Sequence, residues 1–236
     1  MEIEELNGYD PNFGYPCSNE KVRIFLQILA KRKLRPKRVL SICSGGEVPL
    51  VCFLPIAEEV IAIDHSRRSL GIARTKIAVI KTLGVDGWYD LLRGSYQEFT
   101  KTWSNIGLDT TLGKSGYQFE FLDIVRQWKG IPKIYLRLAM ERLDRLKFIH
   151  GDLTDATSRG PFDTMYLSNA LEHTSRTMTR PNHEQILNML APNGSIFYTE
   201  NGTDLGGRIQ GSVLHCKAQA PAANWSYWIY QKGGDA

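Results

Sequence analysis

A serine–glycine–glycine turn and a later aspartate carry the clearest chemical signal in this chain. Ser44, Gly45 and Gly46 follow a short apolar segment, and Glu47 comes directly after them. A second apolar segment ends in Asp64, about twenty residues past the glycines. Glycine lets the main chain approach a ligand where a Cβ would collide, and an acid at this spacing suits the hydroxyls of a ribose. The pattern therefore predicts a bound nucleoside.

The segments around these residues alternate between strand-like and helix-like patterns. Apolar residues recur at helical spacing over about 18–34 and 66–83, and Gly84 ends the second of these segments. Alternation of this kind predicts an α/β fold with a Rossmann-like, doubly wound and mostly parallel sheet. Strands are predicted at 38–43, 60–63, 146–150, 162–167 and 195–199, a tight turn at 191–194, a helix at about 182–190, and an antiparallel edge from about 208–216 and 225–230.

The strand rhythm is interrupted between the second helix and the strand at 146–150. Residues 85–145 are far more than a crossover needs, and they are rich in tryptophan, tyrosine and phenylalanine. We interpret them as a helical insertion with its own aromatic core. Residues 1–37 are expected to form an N-terminal helical lid, residues 38–230 the ligand-binding domain, and residues 231–236 a tail.

Composition excludes several classes of protein. The 236 residues carry a net charge of +4, too little to indicate nucleic acid by itself. The four cysteines are scattered without metal-ligand spacing, so we expect no metal site and no disulfide framework, in a reducing cytoplasm. No apolar run is long enough to span a membrane. The basic run at 31–38 could contact RNA phosphates or an anionic bilayer, but the solvated end of a helix also explains it.

Five motifs in order resemble the class I S-adenosylmethionine-dependent methyltransferase fold across roughly residues 38–230. They are VLSICSGG, VIAID, FIHGDLTD, FDTMYLSNALEH and LAPNGSIFYTE. The first motif departs from that pattern, because Ser41 and Cys43 stand where an acid and a glycine are usual. Three features are instead similar to the 3-amino-3-carboxypropyltransferases that alkylate diacylglycerol in betaine-lipid synthesis. They are Ser-Gly-Gly followed by an acid, Leu-Ser-Asn after the fourth strand, and Gly-Trp-Tyr-Asp-Leu-Leu after helix 66–83. Those enzymes are considerably longer than this chain.

The resemblance implies S-adenosylmethionine as donor and assigns its contacts. The methionine end would lie against Ser44, Gly45, Gly46 and Glu47, the ribose hydroxyls against Asp64, and the adenine beside His65, Ser66, Asp152 and Leu153. Ser168 and Asn169 would face the sulfonium and the acceptor. Each assignment has a plain structural alternative. Asp64 could cap the following helix, Asp152 could be an ordinary turn aspartate, and Asn169 could satisfy its own turn.

Three residues are the candidates for catalysis. His173 lies four residues past Asn169, where this fold places acceptor chemistry, and histidine suits proton transfer near neutrality. Asn169 would orient the reacting groups. Tyr15, in the N-terminal segment, would close over the donor and offer its hydroxyl to the methionine carboxylate. The alternative for His173 is a surface histidine without a chemical role.

These observations favour transfer of the 3-amino-3-carboxypropyl group, with attack at Cγ and release of 5′-methylthioadenosine. The acceptor would be a small molecule, or the donor's own amino group closing an azetidine ring, or the reaction would be an elimination to a lactone. The alternatives are a small-molecule methyltransferase and a non-catalytic module that binds RNA or protein. A membrane partner is not favoured.

Overall fold

The computed structural model describes residues 22–106, 118–168, 183–201, 213–220 and 223–232. The expected lid at the amino terminus lies mostly outside these residues. The strands are β1 (Arg38–Ile42), β2 (Glu59–Asp64), β3 (Leu146–His150), β4 (Phe162–Tyr166), β5 (Leu190–Asn201), β6 (Val213–Ala220) and β7 (Ala223–Gln231). The α-helices are α1 (Val22–Arg32), α2 (Arg67–Arg93), α3 (Tyr96–Ile106), α4 (Gln118–Lys129), α5 (Lys133–Met140) and α6 (His183–Asn188).

The described strands form one seven-stranded sheet in the order β3-β2-β1-β4-β5-β7-β6. Strands β1 to β5 pair in parallel, and β7 runs antiparallel between β5 and β6. The predicted doubly wound, mostly parallel sheet with an antiparallel edge is therefore confirmed. Strand β1 pairs with β2 on one side and β4 on the other, so the chain order reverses at β1. Open α/β sheets bind ligands outside the carboxyl ends of the strands at such a switch point.

One local prediction was wrong, and a second, about a helix end, was confirmed. The expected turn at 191–194 lies inside β5, where Asn193 takes a φ of 61° and the β4–β5 register shifts between Phe162 and Thr164. The bulge lets the strand continue through residues that otherwise form turns. The predicted helix end at Gly84 is confirmed, because the backbone there is not helical, with a φ of 72° and a ψ of 169°; a second helical segment then follows to Arg93, so α2 consists of two helices joined at a kink.

The segment between the kink at Gly84 and β3 is helical over most of its described length. Its large aromatic side chains pack inward and join the same core as α1 and one face of the sheet. The Trp88 and Trp128 rings meet edge to face at 5.4 Å, and Phe99 stacks on Trp103 at 5.3 Å. Such ring pairs stabilise a core beyond the area they bury. In the described part of the chain these aromatics are structural.

None of the helices in the described ranges is both long and apolar enough to cross a membrane.

Candidate functional site

Two buried serines stand at the carboxyl ends of neighbouring strands with left-handed backbones. Ser44 follows β1 with a φ of 45°, and Ser168 follows β4 with a φ of 51°. Both are buried, and the Ser168 carbonyl accepts the Thr199 N–H at 2.9 Å. A residue with a Cβ adopts this conformation only when its surroundings enforce it, and such strain concentrates at binding sites. The two serines stand at the carboxyl ends of the two strands that meet at the switch point, so they mark β1 and β4 as the place of a candidate site.

Asp64, at the end of β2, ties the turn after β1 to the start of α2. Its Oδ2 accepts the Ser44 N–H at 2.9 Å, and its Oδ1 accepts the Ser66 N–H at 2.9 Å. The Ser66 hydroxyl, rather than Asp64, caps α2 by accepting the Ser69 N–H at 3.2 Å. Burial raises the pKa of Asp64, although the Ser66 and Ser44 N–H groups and His65 act in the opposite direction. An ionised carboxylate has about four acceptor positions, so Asp64 retains capacity for further hydroxyl donors.

Glu47 is buried and paired inside the protein. Its side chain is fully buried and its Oε1 accepts hydrogen bonds from Lys76 Nζ and, at 3.1 Å, from Trp128 Nε1. Lys76 is equally buried, and its Nζ also donates to the Gly45 carbonyl at 2.8 Å. These contacts give Glu47 a structural role, and its contact with a ligand stays a prediction. Lys76, held by the Glu47 carboxylate, binds the Gly45 carbonyl and so stabilises the glycine turn.

The prediction for Glu47 missed a signal that the sequence contains. Lys76 lies three residues after Ala73 on the apolar face of α2, where a charged residue must be paired to be buried. A lysine at such a position indicates an acid nearby in the fold. The acid is Glu47, the only member of the Ser44–Glu47 motif with a charge.

Gly46 is needed for packing against a helix rather than for approach to a ligand. Its φ is +91°, and a Cβ at this position would lie 2.6 Å from the Ala73 Cβ. Helix α2 can therefore reach β1 only because residue 46 is glycine. The predicted close approach exists, but the group that approaches is α2.

Asp152 and Leu153 follow β3, and the structure gives both of them local roles. The Asp152 Oδ1 accepts the Asp155 N–H at 3.3 Å, and the Asp155 Oδ2 accepts the Asp152 N–H at 2.8 Å. This reciprocal pair starts the short 3₁₀ helix Leu153–Arg159. Asp152 thus has the local turn role that the sequence offered as the alternative to ligand binding. Leu153 is 4% exposed within a core cluster, which leaves it little surface for an adenine ring.

The two histidines at the ends of β2 and β3 lie beside Asp64. His65 is 43% exposed, and its Nδ1 is 3.7 Å from the Asp64 Oδ1. His150 Nε2 lies 3.0 Å from the His65 carbonyl oxygen. The contacts of Asp64 thus bring Ser44, His65 and Ser66 together at the carboxyl ends of β1 and β2, and Ser168 stands at the carboxyl end of β4; their contact with a donor stays a prediction.

Comparison with known proteins identifies the fold and goes no further. No protein-family model and no curated protein sequence match this chain. Among solved structures, the N-methyltransferase NodS from Bradyrhizobium japonicum matches with a TM-score of 0.50 and 12% identity, over 89% of this chain and 94% of that one. The fold is class I methyltransferase-like.

Further methyltransferase structures match less closely. NodS in complex with S-adenosyl-L-homocysteine matches with a TM-score of 0.47 at 13% identity, over 89% of this chain and 85% of that one. The rRNA methyltransferase AviRa from Streptomyces viridochromogenes matches with a TM-score of 0.46 at 14% identity, over 96% and 90%. Identities this low indicate a shared fold, and function must be argued from the site itself.

The candidate catalytic residues lie outside the described part of the chain. Tyr15, Asn169 and His173 all fall there, so their roles stay predictions. Within the described ranges, no group of three or more histidine, cysteine, aspartate or glutamate residues is placed to hold a metal ion.

Proposed function

We propose that this chain is an S-adenosylmethionine-dependent transferase whose donor binds at the carboxyl edge of the sheet. One observation carries the proposal: Ser44 and Ser168 adopt left-handed backbones on either side of the switch point, and Asp64 accepts the Ser44 N–H. A methyltransferase-like fold supports it, since donors of this type bind outside the carboxyl ends of parallel strands.

The chemistry of Asp64 suits the ribose of the donor. Its carboxylate is already oriented by two main-chain N–H groups, and its remaining lone pairs can accept two vicinal hydroxyls without any rearrangement. The neighbouring Glu47 and Lys76 cancel each other's charge, which leaves Asp64 as the carboxylate that serves a ligand at this turn. A fixed acceptor of this kind lowers the entropic cost of binding.

We propose further that the group transferred is 3-amino-3-carboxypropyl. This choice rests on the Ser44-Gly45-Gly46-Glu47 pattern and its resemblance to transferases of that group. The nucleophile's lone pair forms a bond to Cγ, the Cγ–S bond breaks, and its electron pair neutralises the sulfonium as 5′-methylthioadenosine leaves. A base takes the proton of the nucleophile, and His173 is the residue proposed for that step.

The acceptor in this proposal is small or is part of the donor. Attack of the donor's own α-amino nitrogen on Cγ closes an azetidine-2-carboxylate ring, and attack by its carboxylate closes a lactone. The protein then mainly holds the reacting atoms in line, because the sulfonium is already activated. Methyl transfer is the second candidate, and the similarity of the fold to that of the N-methyltransferase NodS is consistent with it.

Product analysis separates the candidates. The purified chain is incubated with S-adenosylmethionine, with and without small amines and thiols, and the adenosine products are separated by liquid chromatography. Methylthioadenosine above the rate of spontaneous breakdown supports Cγ chemistry, and its formation without an acceptor supports cyclisation. S-adenosylhomocysteine as the product supports methyl transfer. Absence of either product with every acceptor, in a protein shown to be folded, contradicts the transferase proposal.

A His173→Ala variant tests the proposed base. Turnover should fall while donor affinity stays within about twofold, because a general base contributes typically 10²–10⁴-fold to rate and little to ground-state binding. Equal turnover in the variant removes His173 from the proposal.

A further inference from the structure

A second polar site lies at the opposite edge of the sheet. A cleft of about 300 Å³ is lined by Arg32, Leu34, Arg35, Pro36, Asp163, Thr164, Asn193, Ser195 and Gln231. We call it the amino-edge cleft, because it lies where β1 and β4 begin and β7 ends. Thr164 lies near the start of β4 and Ser168 follows its end, so the cleft and the candidate donor site lie at opposite ends of this strand. The two sites are therefore separate.

The floor of the amino-edge cleft is a polar row across three strands. Thr164 on β4 pairs with Ser195 on β5, and Ser195 pairs with Gln231 on β7, so their side chains share one face of the sheet. Thr164 is 2% exposed and Ser195 is 4% exposed. Buried hydroxyls are costly unless they find partners, and a row of them facing a cavity suits a polar occupant.

The adjacent row on the same face shows how local this polarity is. Tyr166, Phe197 and Ile229 stand in the same three strands, one step further from the edge, and all are buried in the same core as α1. The face changes from apolar to polar where α1 ends at Arg32. An ordinary core would continue with apolar residues there, at least at the two positions that are almost fully buried.

Two exposed arginines, Arg32 and Arg35, line the cleft. Lys31, Lys33 and Lys37, their neighbours along the chain, are also exposed. The helix dipole of α1 accounts for cations in its last turn, at Lys31 and Arg32, but not for those beyond the helix. The carboxylate in the lining, Asp163, accepts the Lys37 N–H at 3.0 Å and the Arg38 N–H at 2.8 Å, which partly satisfies its charge.

We propose that the amino-edge cleft binds a small phosphate-bearing anion. The guanidinium groups of Arg32 and Arg35 match the oxygens of a phosphate, and the hydroxyls of Thr164 and Ser195 donate from the floor. The cavity has the volume of a small ligand site, at the lower end of the usual range. The proposal does not depend on the donor site, so either can fail alone.

Calorimetric titration of the full chain with inorganic phosphate and with glycerol 3-phosphate, at low ionic strength, tests this proposal. Saturable binding is expected for the wild type. Arg35→Gln should weaken it about tenfold or more, because hydrogen bonds to charged groups are the strong ones. Thr164→Val, which keeps the side-chain shape, should weaken it several-fold. Arg126→Gln removes the same charge from an exposed position on α4 and should leave the affinity unchanged.

Three results would overturn the proposal: no saturable binding of either probe, equal weakening by Arg126→Gln, or an unchanged affinity in both cleft variants. Unfolding curves without ligand are measured for every variant, and a variant that does not fold is replaced by Ser195→Ala. A single-stranded RNA oligonucleotide is titrated in parallel. If the RNA binds through Arg35 and phosphate does not compete with it, the surface recognises a polymer and the small-anion proposal is wrong.

Discussion

Replacement of Lys76 by methionine tests whether the buried pair under the glycine turn is a structural anchor. Methionine nearly preserves the length and apolar stem of lysine but removes the ammonium. The fully buried Glu47 carboxylate then loses its cation and keeps the Trp128 Nε1 donor, and the Gly45 carbonyl loses its 2.8 Å bond. Removing one partner of a buried pair costs about 3–5 kcal/mol. We expect a loss of about 4 kcal/mol in the free energy of unfolding.

Urea unfolding followed by tryptophan fluorescence measures this loss, since Trp128 contacts Glu47 directly. A control, Lys81→Met, changes an exposed lysine on the same helix and should shift stability by about 0.5 kcal/mol or less. Glu47→Leu should cost about as much as Lys76→Met. The double variant should cost clearly less than the sum, because it leaves no uncompensated charge.

Small and additive effects would refute this reasoning. If both single variants lose less than about 1 kcal/mol of unfolding free energy, the pair is solvated, because only exposed ion pairs contribute so little. If the double variant loses the sum of the two, Glu47 and Lys76 do not interact. In either case Glu47 would again be available as a ligand contact.

Three further predictions concern stability. Gly46→Ala should cost about 3 kcal/mol, from a positive φ and a 2.6 Å contact with the Ala73 Cβ, and thermal unfolding should show partial recovery when Ala73→Gly is added. Tyr89→Phe should cost about 1–2 kcal/mol at neutral pH, because the Tyr89 hydroxyl donates to the Ile131 carbonyl at 2.7 Å. Burial raises the pKa of Tyr89 from 10.0 to about 12, so the wild type, but not the variant, should lose stability between those pH values. The difference in unfolding free energy between the wild type and Tyr89→Phe should therefore shrink over that range, and a constant difference would contradict this. Hydrogen bonds from a lysine and an arginine lower the pKa of Glu59 below its usual 4.5, so the wild type should lose stability as the pH falls below that value, and denaturation curves of Glu59→Gln should depend less on pH.

The sheet and the edge that carries Ser44 and Asp64 were predictable because their signals are local. The glycine turn and Asp64 lie in one strand–turn–helix–strand unit, and the later strands are short apolar runs with turns between them. Each element could be recognised without its neighbours. Right-handed crossovers then leave few ways to order the strands.

The errors arose where a distant contact decides the outcome. Glu47 looked like a ligand residue because its partners are remote: Lys76 is 29 positions away and Trp128 is 81. The turn residues around Asn193 have the expected backbone, but pairing with β4 carries the strand through them. Neither of these outcomes follows from local sequence.

A crystal structure of the chain with S-adenosylhomocysteine bound would test the proposed donor site without relying on turnover. We predict adenosine at the carboxyl ends of β1, β2 and β4, with the ribose hydroxyls within about 3 Å of the Asp64 carboxylate and the sulfur between Ser44 and Ser168. A ligand bound elsewhere, or a crevice between these two serines too closed to admit one, would contradict the proposal.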